Sequence, residues 1–409
     1  MSRIFRRWWL SLIPLAAALV LLVVWLNHSP PTKPIAPKPE VLWIFQANES
    51  GAVISSPCYF GGRVFVGAIR DAGLSPGGVV YALNANGGKI AWRFDDQGTM
   101  LHMYSSPHVA DGLLYIGEGM HANFSCNLRC LDVSTGAKRW QFPIHSHLES
   151  SPYVANGQVF FGAGDDGVYA ANSRTGEKVW QFNDQVHVDT SPALADGRLF
   201  VGSGVSGRVP AGCLLALSAK SGKVHWRIPT ELPAWGSPVA DGKQVFFGLG
   251  NGSLTQSDPN PAGAEICLDA ETGQRLWLCP VPDAVFGAAA VDSNRVYFGS
   301  RNGFLYAVDR IDGRVIWKEN LGSAIVTTPA LRDGKLYVVA SGGGVACLNA
   351  ADGRRLWTFD VAAHAQSAVQ LLSSPLVIDD IEAGRHRIIF GGELKLPSAS
   401  AAVVYCLRD

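Results

Sequence analysis

The chain carries no net charge: 34 Lys and Arg balance 34 Asp and Glu, and charged residues make up only 17% of its 409 positions. Without a basic stripe there is no electrostatic footprint for nucleic acid. Outside the N-terminal apolar run the chain also lacks a convincing amphipathic helix. That excludes two kinds of catalytic site. A Gly-x-Ser-x-Gly nucleophile elbow needs a strand-to-helix turn. A phosphate cradled by Gly342-Gly343-Gly344 needs a helix N-terminus, so this run reads as a tight turn between strands. No Cys-x-x-Cys-His haem site occurs. No catalytic or regulatory domain is expected, so any signalling role must pass through a partner.

What the chain does have is a repeat. Trp92, Trp140, Trp180, Trp226, Trp277, Trp317 and Trp357 are each preceded by glycine four residues earlier and by Ala or Cys ten residues earlier. Their spacing of 40 to 51 residues, built from short apolar runs, marks a radial all-β array. In the third repeat Ser151-Pro152-Tyr153-Val154 opens a strand and Asn156-Gly157 supplies a type I′ hairpin turn. Val159 to Gly162, Gly167 to Ala171 and Lys178 to Phe182 are the next three strands, with a turn over Asn172 to Gly176. Four antiparallel strands, a to d, make one blade. The turn glycine between c and d tolerates positive φ, and the tryptophan on outer strand d fills the wedge between neighbouring blades.

The count reaches eight if the ends meet. The last segment supplies Ser374 to Val377, Arg387 to Phe390 and Val403 to Leu407 but no fourth strand, whereas residues 41–48 are an orphan fourth strand carrying Trp43. Joining them closes the ring and removes its open edges. The expectation is therefore all-β: an eight-bladed β-propeller of four-stranded antiparallel blades over 41–409, closed by an N-terminal strand.

The run Ala-x-Asp-x-x-Thr-Gly-x-x-x-Trp resembles the tryptophan-docking repeat of the pyrroloquinoline quinone (PQQ) family of eight-bladed propellers. Residues 130–140 and 267–277 match it closely, with Cys for Ala, and the likeness covers nearly everything after residue 40. The resemblance is specific for fold and not for activity. That family includes quinoprotein dehydrogenases, the propeller lipoprotein of the outer-membrane barrel-assembly machinery, and sensor or scaffold modules. Its dehydrogenases hold the quinone between a tryptophan floor and a ring formed by two adjacent cysteines, beside calcium. No Cys-Cys pair occurs here. The docking repeat is thus read as structural, with PQQ binding kept as the alternative.

Arg3, Arg6 and Arg7 precede an uncharged stretch from Trp8 to Leu26, long enough to cross a bilayer. Positive charge before it keeps the N-terminus in the cytoplasm and sends the propeller out. The expected organisation is a basic stub at 1–7, a transmembrane signal anchor at 8–26 and a proline-rich linker at 27–40, reaching about 40 Å at about 3.1 Å per residue. The propeller then lies on the periplasmic side of the cytoplasmic membrane. A cleaved signal peptide and a twin-arginine signal are the rival readings. No cysteine precedes Cys58, so the lipid anchor of the barrel-assembly lipoprotein is not expected.

Eight cysteines invite a disulfide framework or a metal site. Cys130, Cys267, Cys347 and Cys406 fall where other repeats carry Ala, which makes them small buried residues of the third strand. Cys126 and Cys130, four apart on one strand, lie roughly 13 Å apart at about 3.3 Å per residue, beyond bonding distance. Cys58, Cys126, Cys213 and Cys279 stay open as partners.

Irregularity gathers on the face that carries the d-to-a and b-to-c connections. Five residues before the strand-opening proline stand His102, His147 and His187 in three successive blades, followed two residues later by Tyr104, Glu149 and Asp189. Glu118, His121, His145, Asp165, Asp166 and His364 share that face, and Trp235 and Phe286 take the Glu149 position in later blades. The histidines could converge at the channel mouth, and carboxylates beside them favour a divalent cation over an anionic ligand. The metal set is His102, His147, His187, Glu149 and Asp189. Strand-end capping by hydrogen bonds, a solvated rim and an anionic organic ligand are the other readings. The functional expectation is a non-catalytic binding or scaffolding module. Its protein partner or small ligand meets the d-to-a and b-to-c face, particularly insertions 118–126, 203–212 and 249–264. The alternative is a PQQ- or metal-dependent oxidoreductase.

Overall fold

A computed structural model describes residues 38–71, 77–121, 123–380 and 383–409. Among these residues 33 strands accompany one short helix, Val361–Ala365, and a single 3-10 turn. The expected segments 1–7 and 8–26 lie outside the described residues. No helix among the described residues is long and apolar enough to cross a membrane.

Each repeat folds from local instructions. In the third, Tyr153–Ala155, Gln158–Gly162, Val168–Asn172 and Lys178–Phe182 pair in that order as a four-stranded antiparallel sheet. Asn156 and Gly157 both have positive φ, 52° and 72°, as a type I′ turn requires. At the next turn the Asn172 side-chain oxygen accepts from the backbone N–H groups of Arg174 and Thr175 at 2.9 and 3.0 Å. Asp132 and Asp269 do the same in their own repeats.

Six four-stranded sheets follow this plan, and a nine-stranded sheet holds the first and last repeats. In that sheet Glu40–Ala52 lies antiparallel to Ser400–Arg408, with Val41 opposite Leu407 and Trp43 opposite Cys406. The expected orphan strand at 41–48 therefore completes the last repeat. The result is an all-β propeller whose apolar core is divided among the wedges between successive sheets. In one wedge Phe65, Val80, Ala82 and Trp92 of one sheet meet Leu114, Ile116 and Leu131 of the next.

The tryptophan is the joint of each wedge. It sits opposite its small residue, as Cys130 faces Trp140, and an aromatic ring lies beside it: Phe65 and Trp92 centroids are 5.8 Å apart, Phe160 and Trp180 6.1 Å. Its indole N–H then donates to a backbone carbonyl of the following repeat, Trp43 to Ala85 at 2.9 Å and Trp180 to Ala219 at 2.9 Å, except at Trp357, whose N–H is buried without a partner. The indole face covers the following repeat's turn glycine: a Cβ on Gly136 would stand 2.7 Å from Trp92 Cδ2. The repeated glycine thus answers two demands at once, a φ of +73° and a flat seat for the neighbouring tryptophan.

Hydroxyls link the innermost positions. Ser56 N–H donates to Ser106 Oγ at 2.8 Å, Ser106 to Ser151 at 2.9 Å, Ser151 to Ser191 at 2.9 Å and Ser191 to Ser237 at 2.9 Å. Ala288, which has no hydroxyl, follows; its own N–H donates to Thr328 Oγ1 at 2.9 Å, Thr328 to Ser374 at 2.9 Å, and Ser374 back to Ser56 at 3.0 Å. The four cysteines at the alanine position are fully buried, and all eight thiols are free, Cys58, Cys126, Cys213 and Cys279 included.

Candidate functional site

The connections between sheets are pinned by one apolar residue each. Leu148 packs over Gly117 and Val188 over Gly162, where an added Cβ would collide with them. Both anchors are fully buried. With the backbone held at Leu148 and Val188, the flanking residues His147, Glu149, His187 and Asp189 turn toward the axial mouth.

Asp189 is the hub. One oxygen lies 3.0 Å from His147 Nε2; the other lies 2.9 Å from His187 Nε2 and 3.2 Å from His121 Nε2. The Nε2 atoms of His121 and His187 are 3.4 Å apart, and the His121 and His147 rings stack at 4.7 Å. Behind the rings, His121 Nδ1 meets Glu149 Oε1 at 2.7 Å, His187 Nδ1 meets Asp165 Oδ1 at 2.7 Å, and His147 Nδ1 faces Ser146 Oγ at 3.4 Å. Ser206 donates to the same Asp165 oxygen at 2.8 Å, tying insertion 203–212 to the cluster.

The electrostatics follow from these contacts. The hydrogen bond to Glu149, reinforced by Asp189 and Asp165, pushes His121 up to about 9 against the opposing effect of burial. Burial disfavours charge on His187, but the bonds to Asp189 and Asp165 outweigh it and hold the ring above its ordinary value. For Asp189 burial acts to raise the carboxyl pKa; His147 and His187 overcome this and hold it far below the usual carboxylate range.

Of the five residues expected to hold a metal, His147, His187 and Asp189 come together. Glu149 stands behind His121 as its Nδ1 partner. His102 does not join them: Met120 Sδ sits 3.2 Å from its Nδ1, and its Nε2 is buried without a partner. The b-to-c loop carrying Met120 folds over the His102 ring and delivers His121 instead, fastened through its backbone N–H to Glu149 at 2.9 Å. Other polar residues of this face serve the fold. Glu118 is buried against Arg129 and accepts from Asn127 Nδ2 and Leu101 N at 2.8 and 3.0 Å. Asp166 accepts from the backbone of His145 at 2.7 Å, His145 itself is exposed, and His364 packs between Phe359 and Tyr405.

His121 and Asp189 of the cluster, with Glu149, line one side of an axial cavity of about 410 Å³. Tyr104, Trp235, Phe286 and Leu372 line other parts of it, and the linked hydroxyls of Ser56, Ser106, Ser191 and Ser237 also face it. Trp235 presents an edge to His121 and His187, at 6.3 and 6.1 Å between ring centroids. PQQ is a tricarboxylate, and this lining offers Glu149 and Asp189 but no Lys, Arg or Cys. The residues do not suit that quinone.

Comparison with known proteins agrees with the architecture. The crystal structure of BamB from Moraxella catarrhalis superposes with a TM-score of 0.63 at 16% identity, over 91% of this chain and 98% of that one. A europium-containing methanol dehydrogenase superposes at 0.67 with 12% identity, over 91% and 93%. At these identities the likeness is one of fold. The outer membrane protein assembly factor BamB of Vibrio cholerae serotype O1 is 30% identical over 125 residues. That alignment covers 27% of this chain and spans only 30% of the relative's length. The family model described as outer membrane protein assembly factor BamB matches residues 36–146, 109–261 and 262–396. The chain therefore belongs to that family of PQQ-repeat propellers.

Proposed function

We propose that the protein is a closed eight-bladed propeller tethered outside the cytoplasmic membrane by residues 8–26. It acts there as a non-catalytic scaffold that binds a protein partner in outer-membrane protein assembly. The observation that carries this reading is the family match across residues 36–396. The blade count is supported by the hydroxyl links at eight strand-opening positions, Ser56, Ser106, Ser151, Ser191, Ser237, Ala288, Thr328 and Ser374, which are joined by seven hydrogen bonds with one break between Ser237 and Ala288. The binding face is the one with the d-to-a and b-to-c connections. Insertion 118–126 joins strands b and c on that face, and its Phe124 is 70% exposed.

The alternative, a PQQ- or metal-dependent oxidoreductase, draws on the fold it shares with the methanol dehydrogenase. One pair of measurements separates the two readings. Affinity purification from crosslinked cells should recover components of the outer-membrane barrel-assembly machinery, and the purified protein with PQQ, calcium and a panel of alcohols should show neither a quinone spectrum nor turnover. Turnover without those components would reverse the assignment.

A further inference from the structure

We propose that His121, His147, His187 and Asp189 form a binding site for one divalent transition-metal ion of the zinc class. The site is independent of the scaffold reading. Each residue offers one donor atom, and the four lie within 4.8 Å of one another. Around zinc, with bonds of about 2.0–2.1 Å, the corners of a tetrahedron are about 3.3 Å apart. The separations of 2.9 and 3.2 Å from one Asp189 oxygen to the Nε2 atoms of His187 and His121, and of 3.4 Å between those two Nε2 atoms, scatter around that edge, while His147 Nε2 approaches the other Asp189 oxygen at 3.0 Å.

The outer contacts have the form a metal site needs. A ligating imidazole gives its other ring N–H to a carboxylate or similar acceptor, which orients the ring and fixes the tautomer. Glu149 does this for His121, Asp165 for His187 and Ser146 for His147. With those N–H groups committed, the three Nε2 atoms carry free lone pairs, and together with an Asp189 oxygen they lie within 4.8 Å of one another. If instead both His121 and His187 also donated from Nε2 to Asp189, two imidazolium ions would face each other at 3.4 Å. A cation between them removes that conflict.

Three imidazoles and one carboxylate form a borderline donor set that suits zinc or copper better than calcium or magnesium, which favour oxygen. The side chains of His147, His187 and Asp189 are 4%, 2% and 9% exposed, so the donors are desolvated in advance. His121 is 54% exposed on the cavity side and gives the ion a way in. The ligands come from a b-to-c loop and two successive d-to-a connections, so a bound ion would fasten neighbouring sheets together at the mouth.

The test uses the full-length protein in detergent, stripped with a chelator that is then removed. Zinc is titrated against a chromogenic competitor, and Co2+ serves as a spectroscopic probe. The expected result is one zinc per chain and the visible bands of four-coordinate Co2+. Removal of the half-exposed ligand in His121→Ala should abolish both signals while the far-UV circular dichroism stays unchanged. Asp165→Asn, which leaves all four ligands in place and alters the acceptor behind His187, should weaken zinc about 10- to 100-fold. His102→Ala should bind as the wild type does. Absence of a stoichiometric zinc or cobalt complex would overturn the proposal, and so would equal losses in His102→Ala and His121→Ala, the mark of adventitious binding. Either failure leaves the partner-binding experiment unaffected.

Discussion

The backbone N–H of Ser374 donates to Ser56 Oγ at 3.0 Å, joining positions 318 residues apart. It closes at the axis what the pairing of Glu40–Ala52 with Ser400–Arg408 closes further out. Deleting residues 38–48 should therefore open a strand edge and empty one wedge, whereas deleting 1–37 should leave thermal stability unchanged. Trp43→Ala should cost on the order of 3 to 5 kcal/mol in urea unfolding. Equal melting temperatures for the two deletions would contradict closure.

The turn glycines provide an internal comparison. Gly136 and Gly112 have nearly the same φ, +73° and +74°, but an added Cβ meets Trp92 at 2.7 Å in the first case and nothing within 4 Å in the second. Gly112→Ala should cost about 1–2 kcal/mol of left-handed strain. Gly136→Ala should cost about 1–3 kcal/mol more, because it also displaces the indole. Equal losses would mean that the glycine serves the turn alone.

Glu265 should make stability depend on pH. It is fully buried, neither carboxylate oxygen has a hydrogen-bond partner, and burial raises its pKa well above the ordinary carboxyl value of 4.5. Cys279 lies opposite it across the strands. The folded state thus keeps a proton that the unfolded state releases. Its stabilising effect is complete below about pH 4.5 and is lost as pH rises toward the folded value. Glu265→Gln should flatten that decline and raise stability at pH 8 by about 1–3 kcal/mol. An unchanged slope in chemical unfolding from pH 5 to 8 would refute this role.

The positive charge of Arg3, Arg6 and Arg7 ahead of an uncharged stretch predicts a tethered, outward-facing propeller. Protease added to intact spheroplasts should digest it. Survival until the membrane is broken would reverse the orientation, and a mature chain beginning after residue 26 would establish cleavage.

The strands were legible because their signals repeat. Trp140, Gly136 and Cys130 recur at fixed offsets, and a four-stranded sheet has only one way to use them. The second duty of Gly136, seating Trp92 from the preceding sheet, was hidden because that contact crosses repeats. The same limit applies at the mouth. His147, His187 and Asp189 were found by their offset from the strand-opening proline, which Leu148 and Val188 enforce in space. His102 obeys the offset as well, but an irregular loop places Met120 on its ring and sends His121 to the cluster. No spacing rule describes how that loop folds, so His121 was visible only as a polar residue on the right face.

Site-specific photocrosslinking in living cells tests the central claim, that a partner binds the face with the d-to-a and b-to-c connections. A photoreactive residue at Phe124, 70% exposed in insertion 118–126, should capture a component of the outer-membrane assembly machinery. At Ile311, 84% exposed on a c-to-d turn of the opposite face, it should capture none. Capture from Ile311 with silence at Phe124 would contradict the account.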